Sequence, residues 1–138
     1  MAVSQPQADK KYFTAEEANR MLPLVRAIVQ DIVALYESLR ERHGQLQELD
    51  EGTIPLARRE ELEGMRNQFE ADEERLRDYV EELHRLGIEF KGFDLGLVDF
   101  PCWRDGRQVY LCWKLGEPAI EHWHEVADGF AGRQPIKS

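Results

Sequence analysis

Two stretches of this 138-residue chain repeat their apolar residues at alternating steps of four and three, with only a short polar break between them. The first runs Ala18, Leu22, Val25, Val29, Ile32, Tyr36, Leu39, and then His43 and Leu46. The second runs Leu62, Met65, Phe69, Asp72, Leu76, Tyr79, Leu83 and Leu86. Such a spacing keeps one stripe of a helix facing a partner, so each stretch predicts a long amphipathic helix with a coiled-coil-like seam. Thr14 and Glu17 have capping-box spacing, with Phe13 just outside as a staple, and mark the start of the first helix. Pro23 lies inside it, but the phase continues across, which predicts a kink rather than an end. Residues 50–55 break the pattern, Thr53 is placed to cap the second helix with Pro55 in its first turn, and Gly87 is the expected left-handed stop. Two helices joined this closely lie antiparallel, each arm about 45 Å long.

One polar residue interrupts each seam, His43 in the first and Asp72 in the second, where Asp72 is expected roughly opposite Ile32. Such a residue fixes register at a cost in stability. The first helix carries a further stripe, Met21, Leu24, Ile28 and Leu35, which one hairpin partner cannot also cover. Either the C-terminal segment packs there or a second copy of the chain does, in a four-helix arrangement.

Beyond Gly87 the helical period vanishes, and all three tryptophans and four of the six phenylalanines lie in this last part. Asp105-Gly106 between alternating segments signals a two-residue hairpin turn. Counting outward from Arg104 opposite Arg107 puts Val98, Phe100, Cys102, Val109, Leu111 and Trp113 on one face. The other face receives Asp99, Trp103, Gln108, Tyr110, Cys112 and Lys114, with Asp99 directly across from Cys112. After the turn at Gly116-Glu117-Pro118, residues 119–126 read as a strand, and Asp128-Gly129 as a turn back into 130–133. A helix over 119–126 is the alternative, and would point His122 and His124 about 200° apart. The fold class expected is therefore α+β in a single domain: an extended or disordered 1–12, a helical hairpin over 14–87, and a small antiparallel sheet over 88–138.

If the loop at Gly116-Glu117-Pro118 is three residues long, Cys112 faces His122 and Tyr110 faces His124, forming a row of Asp99, Cys112 and His122 with His124 and Tyr110 beside it. Two chemistries suit this row. His124, His122, Cys112 and Asp99 together offer the nitrogen, sulfur and oxygen donors of a zinc-type divalent metal site. Alternatively, Cys112 is a nucleophile, His122 its base and Asp99 the orienting carboxylate, with Tyr110 alongside, in a hydrolase-like enzyme. The bland reading has Cys112 as a small buried hydrophobe and the histidines bonded to backbone.

Charge narrows the partners. Lys and Arg count 18 against 27 for Asp and Glu, a formal −9 with 12 basic and 19 acidic residues up to Gly87. No stretch clusters the cations that phosphate backbones or acidic membranes require, so neither nucleic acid nor a membrane is an expected partner. The absence of an apolar span or leader and the two cysteines predict a reducing cytoplasm. The uncovered stripe on the first helix favours an interaction or scaffold module that self-associates as a dimer, with the metal-binding or cysteine-dependent enzyme as alternative. A small-ligand pocket using Arg133 and Trp103 is a third.

Several blocks carry a likeness: Lys11 to Asn19 with Leu22-Pro23, Gly96 to Pro101, Asp105-Gly106-Arg107, Tyr110 to Pro118, Trp123-His124-Glu125 and Gly129 to Arg133. In these the chain resembles the prokaryotic domain-of-unknown-function family 2203 over nearly its whole length. The resemblance implies a small bacterial cytoplasmic protein and supplies no mechanism. It includes His124 in a matching block and leaves His122 unmatched.

Overall fold

In the computed structural model, which describes residues 5–51 and 55–136, the first helix starts on the reciprocal bonds its sequence encodes. The Thr14 amide donates to Glu17 Oε1 at 3.1 Å and the Glu17 amide to Thr14 Oγ1 at 3.1 Å. Helix α1 spans Ala15–Glu51 and continues through Pro23. A 3₁₀ turn at Leu56–Arg58 follows Pro55, and α2 spans Arg59–Arg85; the proposed cap at Thr53 lies outside the described residues. α2 stops at Gly87 (φ 87°), with the Gly87 amide bonded to the His84 carbonyl and the Ile88 amide to that of Leu83. This is the paired closure that a left-handed glycine permits.

Pairing along the hairpin differs from expectation. Asp72 is buried but meets Arg42 at 2.8 Å rather than Ile32. Because α1 runs on to Glu51 and the reversal includes the turn at Leu56–Arg58, its centre lies later in the chain than the sequence break suggests. The Arg42 hydrogen bond holds the Asp72 carboxyl below its ordinary range. His43 is exposed, its ring 6.0 Å from that of Phe69.

A five-stranded antiparallel meander follows in the order β1 (Glu89–Gly92), β2 (Leu97–Arg104), β3 (Arg107–Lys114), β4 (His122–Glu125) and β5 (Gln134–Pro135). Asp105 and Gly106 have φ 52° and 78°, the double left-handed turn that matches strand twist. The pairing is the counted one: Arg104 with Arg107, Asp99 with Cys112, Cys112 with His122, and Tyr110 with His124. Residues 122–125 are a strand and not a helix. The return after Asp128 is not the direct one expected. Gly129 (φ 63°) leads into a 3₁₀ turn at Phe130–Gly132, and pairing resumes only at β5.

One sheet face builds the core with α1: Val98, Phe100, Cys102, Val109, Leu111 and Trp113 are all buried, together with Phe13, Leu22, Val25, Val29 and Ile32. This packing also fills most of the second stripe of α1. Ile28 and Leu35 are buried within one chain, and only Leu24 is left half exposed, at 49%. Asn19 ties α1 to the β3–β4 loop, accepting the Ile120 amide at 2.8 Å and donating to the Ile120 carbonyl at 3.3 Å. At the chain start, the Phe13 amide bonds the Pro101 carbonyl at 2.7 Å, which lays the preceding residues along the outer edge of β2.

Gly96, between β1 and β2, lies where the sheet leaves no room for a side chain against α1. Its φ is 62°, and a Cβ there would lie 2.8 Å from Val29 Cγ1 and 2.9 Å from Leu115 Cβ. Backbone strain and overpacking therefore act together. Gly96→Ala is expected to lower the urea midpoint by the equivalent of about 1–3 kcal/mol, whereas Gly106→Ala, strained but facing open space, costs less.

Candidate functional site

The face of the sheet opposite the core is polar, yet its centre is closed to solvent: Asp99, Cys112 and His124 are 4%, 0% and 2% exposed. They come from three adjacent strands. Asp99 on β2 stands across from Cys112 on β3, and His124 projects from β4 two residues along. Their ligand-type atoms all lie within 4.8 Å of one another.

The imidazole is fixed at both nitrogens. Nδ1 lies 2.7 Å from the Glu125 carbonyl oxygen, which can only accept, so Nδ1 carries the proton. Nε2 then faces Asp99 Oδ1 at 3.0 Å, and that contact holds one further proton. The Cys112 thiol also lies against the Asp99 carboxylate. Burial first, and then the Asp99 charge, push this thiol up to about 12, while Arg133 works the other way. In this state Cys112 is a protonated donor to Asp99 and not a poised nucleophile.

The other residues singled out in the sequence are placed beside this trio. Tyr110 packs its ring 5.5 Å from the His124 ring and donates its hydroxyl to Glu89 Oε2 at 2.7 Å. Burial and the neighbouring Glu89 raise its pKa. His122, although paired with Cys112 by register, turns its ring away to Glu117, with Nδ1 3.7 Å from Oε2. It therefore does not join the trio. Trp103 sits at the margin of the face, edge-on to Tyr12 at 5.7 Å.

Two residues take partners here that the sequence reading did not assign to them: it offered Arg133 only for a small-ligand pocket with Trp103, and it did not name Glu89. Arg133, from the segment after the 3₁₀ turn, donates to the Cys112 carbonyl at 3.2 Å and to Glu117 Oε1 at 2.6 Å. Burial opposes ionisation of Glu117, but the guanidinium outweighs it and holds the carboxyl below its ordinary range. Glu89 stands across from Asp99 on β1 and extends the polar row to a fourth strand. Its period-two position beside Phe90 was the only available cue.

A helical hairpin on one face of an antiparallel meander, with a buried carboxylate, thiol and imidazole on the other, defines the class of this protein. The chain belongs to the uncharacterized conserved protein family DUF2203, whose model matches residues 11–136. No curated protein and no solved structure matches it. Among the described residues, no helix is long and apolar enough to cross a membrane.

The raised thiol pKa sets a pH dependence with a definite sign. From the ordinary value of 9.0 up to about 12 the unfolded chain loses the Cys112 proton while the fold keeps it. The unfolded state then binds fewer protons, and stability falls as pH rises through that window. Urea melts in the presence of a chelator should show a shallower fall for Cys112→Ser than for wild type between about pH 9 and 12. Equal slopes would mean that Cys112 does not ionise differently in the two states.

Proposed function

We propose that this protein binds a zinc-type divalent metal ion through His124 Nε2, Cys112 Sγ and a carboxylate oxygen of Asp99. The observation that carries the reading is the convergence of three different donor types, all buried, within 4.8 Å of one another. The donor set suits a borderline-soft dication. A thiolate and a carboxylate offset its charge, and the neutral imidazole adds a nitrogen. The bond from Nδ1–H to the Glu125 carbonyl supports the same reading, because it directs the Nε2 lone pair into the cluster.

Metal would replace protons. The Cys112 proton and the one held between His124 and Asp99 both have to leave, so binding strengthens as pH rises. Three protein donors leave a fourth position on a tetrahedral ion, the arrangement found in metal-dependent hydrolases rather than in closed structural sites. That is the enzymatic form of the proposal. A cysteine-nucleophile mechanism has less support, since the thiol is fully buried and held protonated. Both cysteines are unpaired, which agrees with a reducing cytoplasm.

A second reading, helix-mediated dimerisation, rests on a groove of about 400 Å³ lined by Tyr36, Leu39, His43, Phe69 and Leu76. It draws little from the second stripe of α1, which is mostly buried within one chain. Sedimentation at micromolar concentration distinguishes the two, and a single species of 16.1 kDa would remove the dimer.

Cobalt titration of protein purified without a histidine tag tests the metal reading. One ion should bind per chain, with a sulfur-to-cobalt absorption band and release of about two protons near neutral pH. Cys112→Ser should abolish the band, and His124→Ala should weaken binding by at least about 100-fold. His122→Ala should leave both unchanged, because its ring faces Glu117. Binding that survives His124→Ala, or the absence of any cobalt–sulfur band in wild type, would refute the assignment.

A further inference from the structure

The outer edge of β2 is shared by two segments. β1 pairs with it at Val98 and Asp99, and the N-terminal segment bonds to it at the Pro101 carbonyl. Where these segments meet the end of α2, a cleft of about 970 Å³ opens. That is at the upper end of the range for small-molecule sites.

Its charge runs against that of the molecule. The chain as a whole carries 27 acidic and 18 basic residues, yet the cleft is lined by four cations, Lys10, Lys11, Arg85 and Lys91, against three acids, Asp9, Glu81 and Glu89. Arg85 and Lys11 are engaged with Glu81 and Glu17 at 3.7 and 3.4 Å. Lys10 donates to a neutral group, the Gln108 amide oxygen, at 3.1 Å. Lys91 Nζ lies 2.9 Å from Glu89 Oε1, and the charge of Lys10 also acts on Glu89. Lys10 and Lys91 thus share the cleft with the Glu89 carboxylate, a strong hydrogen-bond acceptor.

We propose that this cleft binds a small oxyanion that also carries a hydroxyl donor. Lys10 and Lys91 hold its negative charge, and Glu89 accepts its hydroxyl hydrogen in exchange for the bond from Tyr110. A fully deprotonated oxyanion is rejected, because it sets an acceptor against the Glu89 carboxylate. Inorganic phosphate, which keeps a proton at neutral pH, and sulfate, which does not, are probes of similar shape that differ in this one feature. The site does not require the metal. Its connection to the buried trio is Tyr110, which bonds Glu89 at one end and lies against the His124 ring at the other.

Amide resonances of the full-length protein, followed at pH 7 and constant ionic strength, provide the test. Phosphate should give saturable shifts confined to the region of Lys10, Lys11, Gly87 and Lys91, and should bind at least about fivefold more tightly than sulfate. Glu89→Gln should bring that ratio close to one, since a neutral amide no longer repels sulfate. The substitutions Lys10→Gln, at a half-buried position, and Lys91→Gln, at an exposed one, made together, should weaken both anions. Shifts that stay linear or scatter over the surface lysines would overturn the proposal, as would an unchanged ratio in Glu89→Gln. If Glu89→Gln fails to fold, undiminished phosphate binding in the double lysine variant overturns it equally. Failure of cobalt binding leaves this result intact, so the two sites are judged separately.

Discussion

Strand register is the constraint on which the polar centre depends. A side chain on a strand changes faces with every residue, so a slip of one position between β3 and β4 would send His124 into the core and bring Trp123 to the polar face. Two devices prevent the slip. Asp105-Gly106 fixes β2 against β3 through the left-handed conformation of both residues. Between β3 and β4 there is no such minimal turn. The Glu117 amide closes on the Lys114 carbonyl, and Asn19 of α1 then holds both backbone groups of Ile120. A single helical side chain therefore mimics a neighbouring strand for one residue and sets where β4 begins. The packing of α1 on the sheet and the geometry of the opposite face are consequently linked, although Asn19 touches none of the polar trio.

Burying a carboxylate, a thiol and an imidazole together is costly unless each finds a partner. Here the demands are met in a closed set. Asp99 accepts from the imidazole and the thiol, and Glu125 supplies a carbonyl to the remaining ring nitrogen. The arrangement is thus satisfied with its protons in place. Removing those protons without a replacement buries a bare thiolate and sets it against the Asp99 carboxylate, so burial first and the neighbouring charge second make the Cys112 thiol resist ionisation. A divalent cation bound as proposed would restore the charge balance while using the same lone pairs.

Much of this architecture is legible in the sequence because its signals are local or periodic. Thr14 with Glu17, Gly87, and Asp105-Gly106 each determine their own backbone, and the alternation of Val98 to Cys102 and Val109 to Trp113 fixes the core face. Counting alone then brings Asp99, Cys112 and the β4 histidines to neighbouring positions. It does not decide where a ring turns. His122 and His124 occupy the same face by backbone, but Glu117 draws one imidazole away while Asp99 and the Glu125 carbonyl hold the other. Nor does spacing locate Asp72 against Arg42, because the hairpin pairing depends on how far α1 runs beyond its last buried leucine, Leu46. The partners of Arg133 are illegible for a further reason. They depend on the 3₁₀ turn at Phe130–Gly132, a path that no alternation sets.

The described segments near both ends of the chain close on the polar face. Lys10 and Tyr12 lie against Gln108 and Trp103, and Arg133 reaches the Cys112 carbonyl. Stability in such a molecule is not uniform, because segments held by few buried apolar contacts open first. The far half of the hairpin is one such region, held near its middle by the Arg42–Asp72 pair and carrying its apolar burial at Leu39, Leu46 and Leu62. Asn19 and the α1 residues of the core, which bear on the register of the sheet, lie instead in the near half. The terminal segments differ in this respect. Releasing the Arg133 side frees the guanidinium that counters the effect of Asp99 on the Cys112 thiol, so docking of residues 130–136 and ionisation of Cys112 favour one another. A metal bound as proposed, which demands the thiolate, would therefore also favour the docked C-terminal segment, the two events being linked through one side chain.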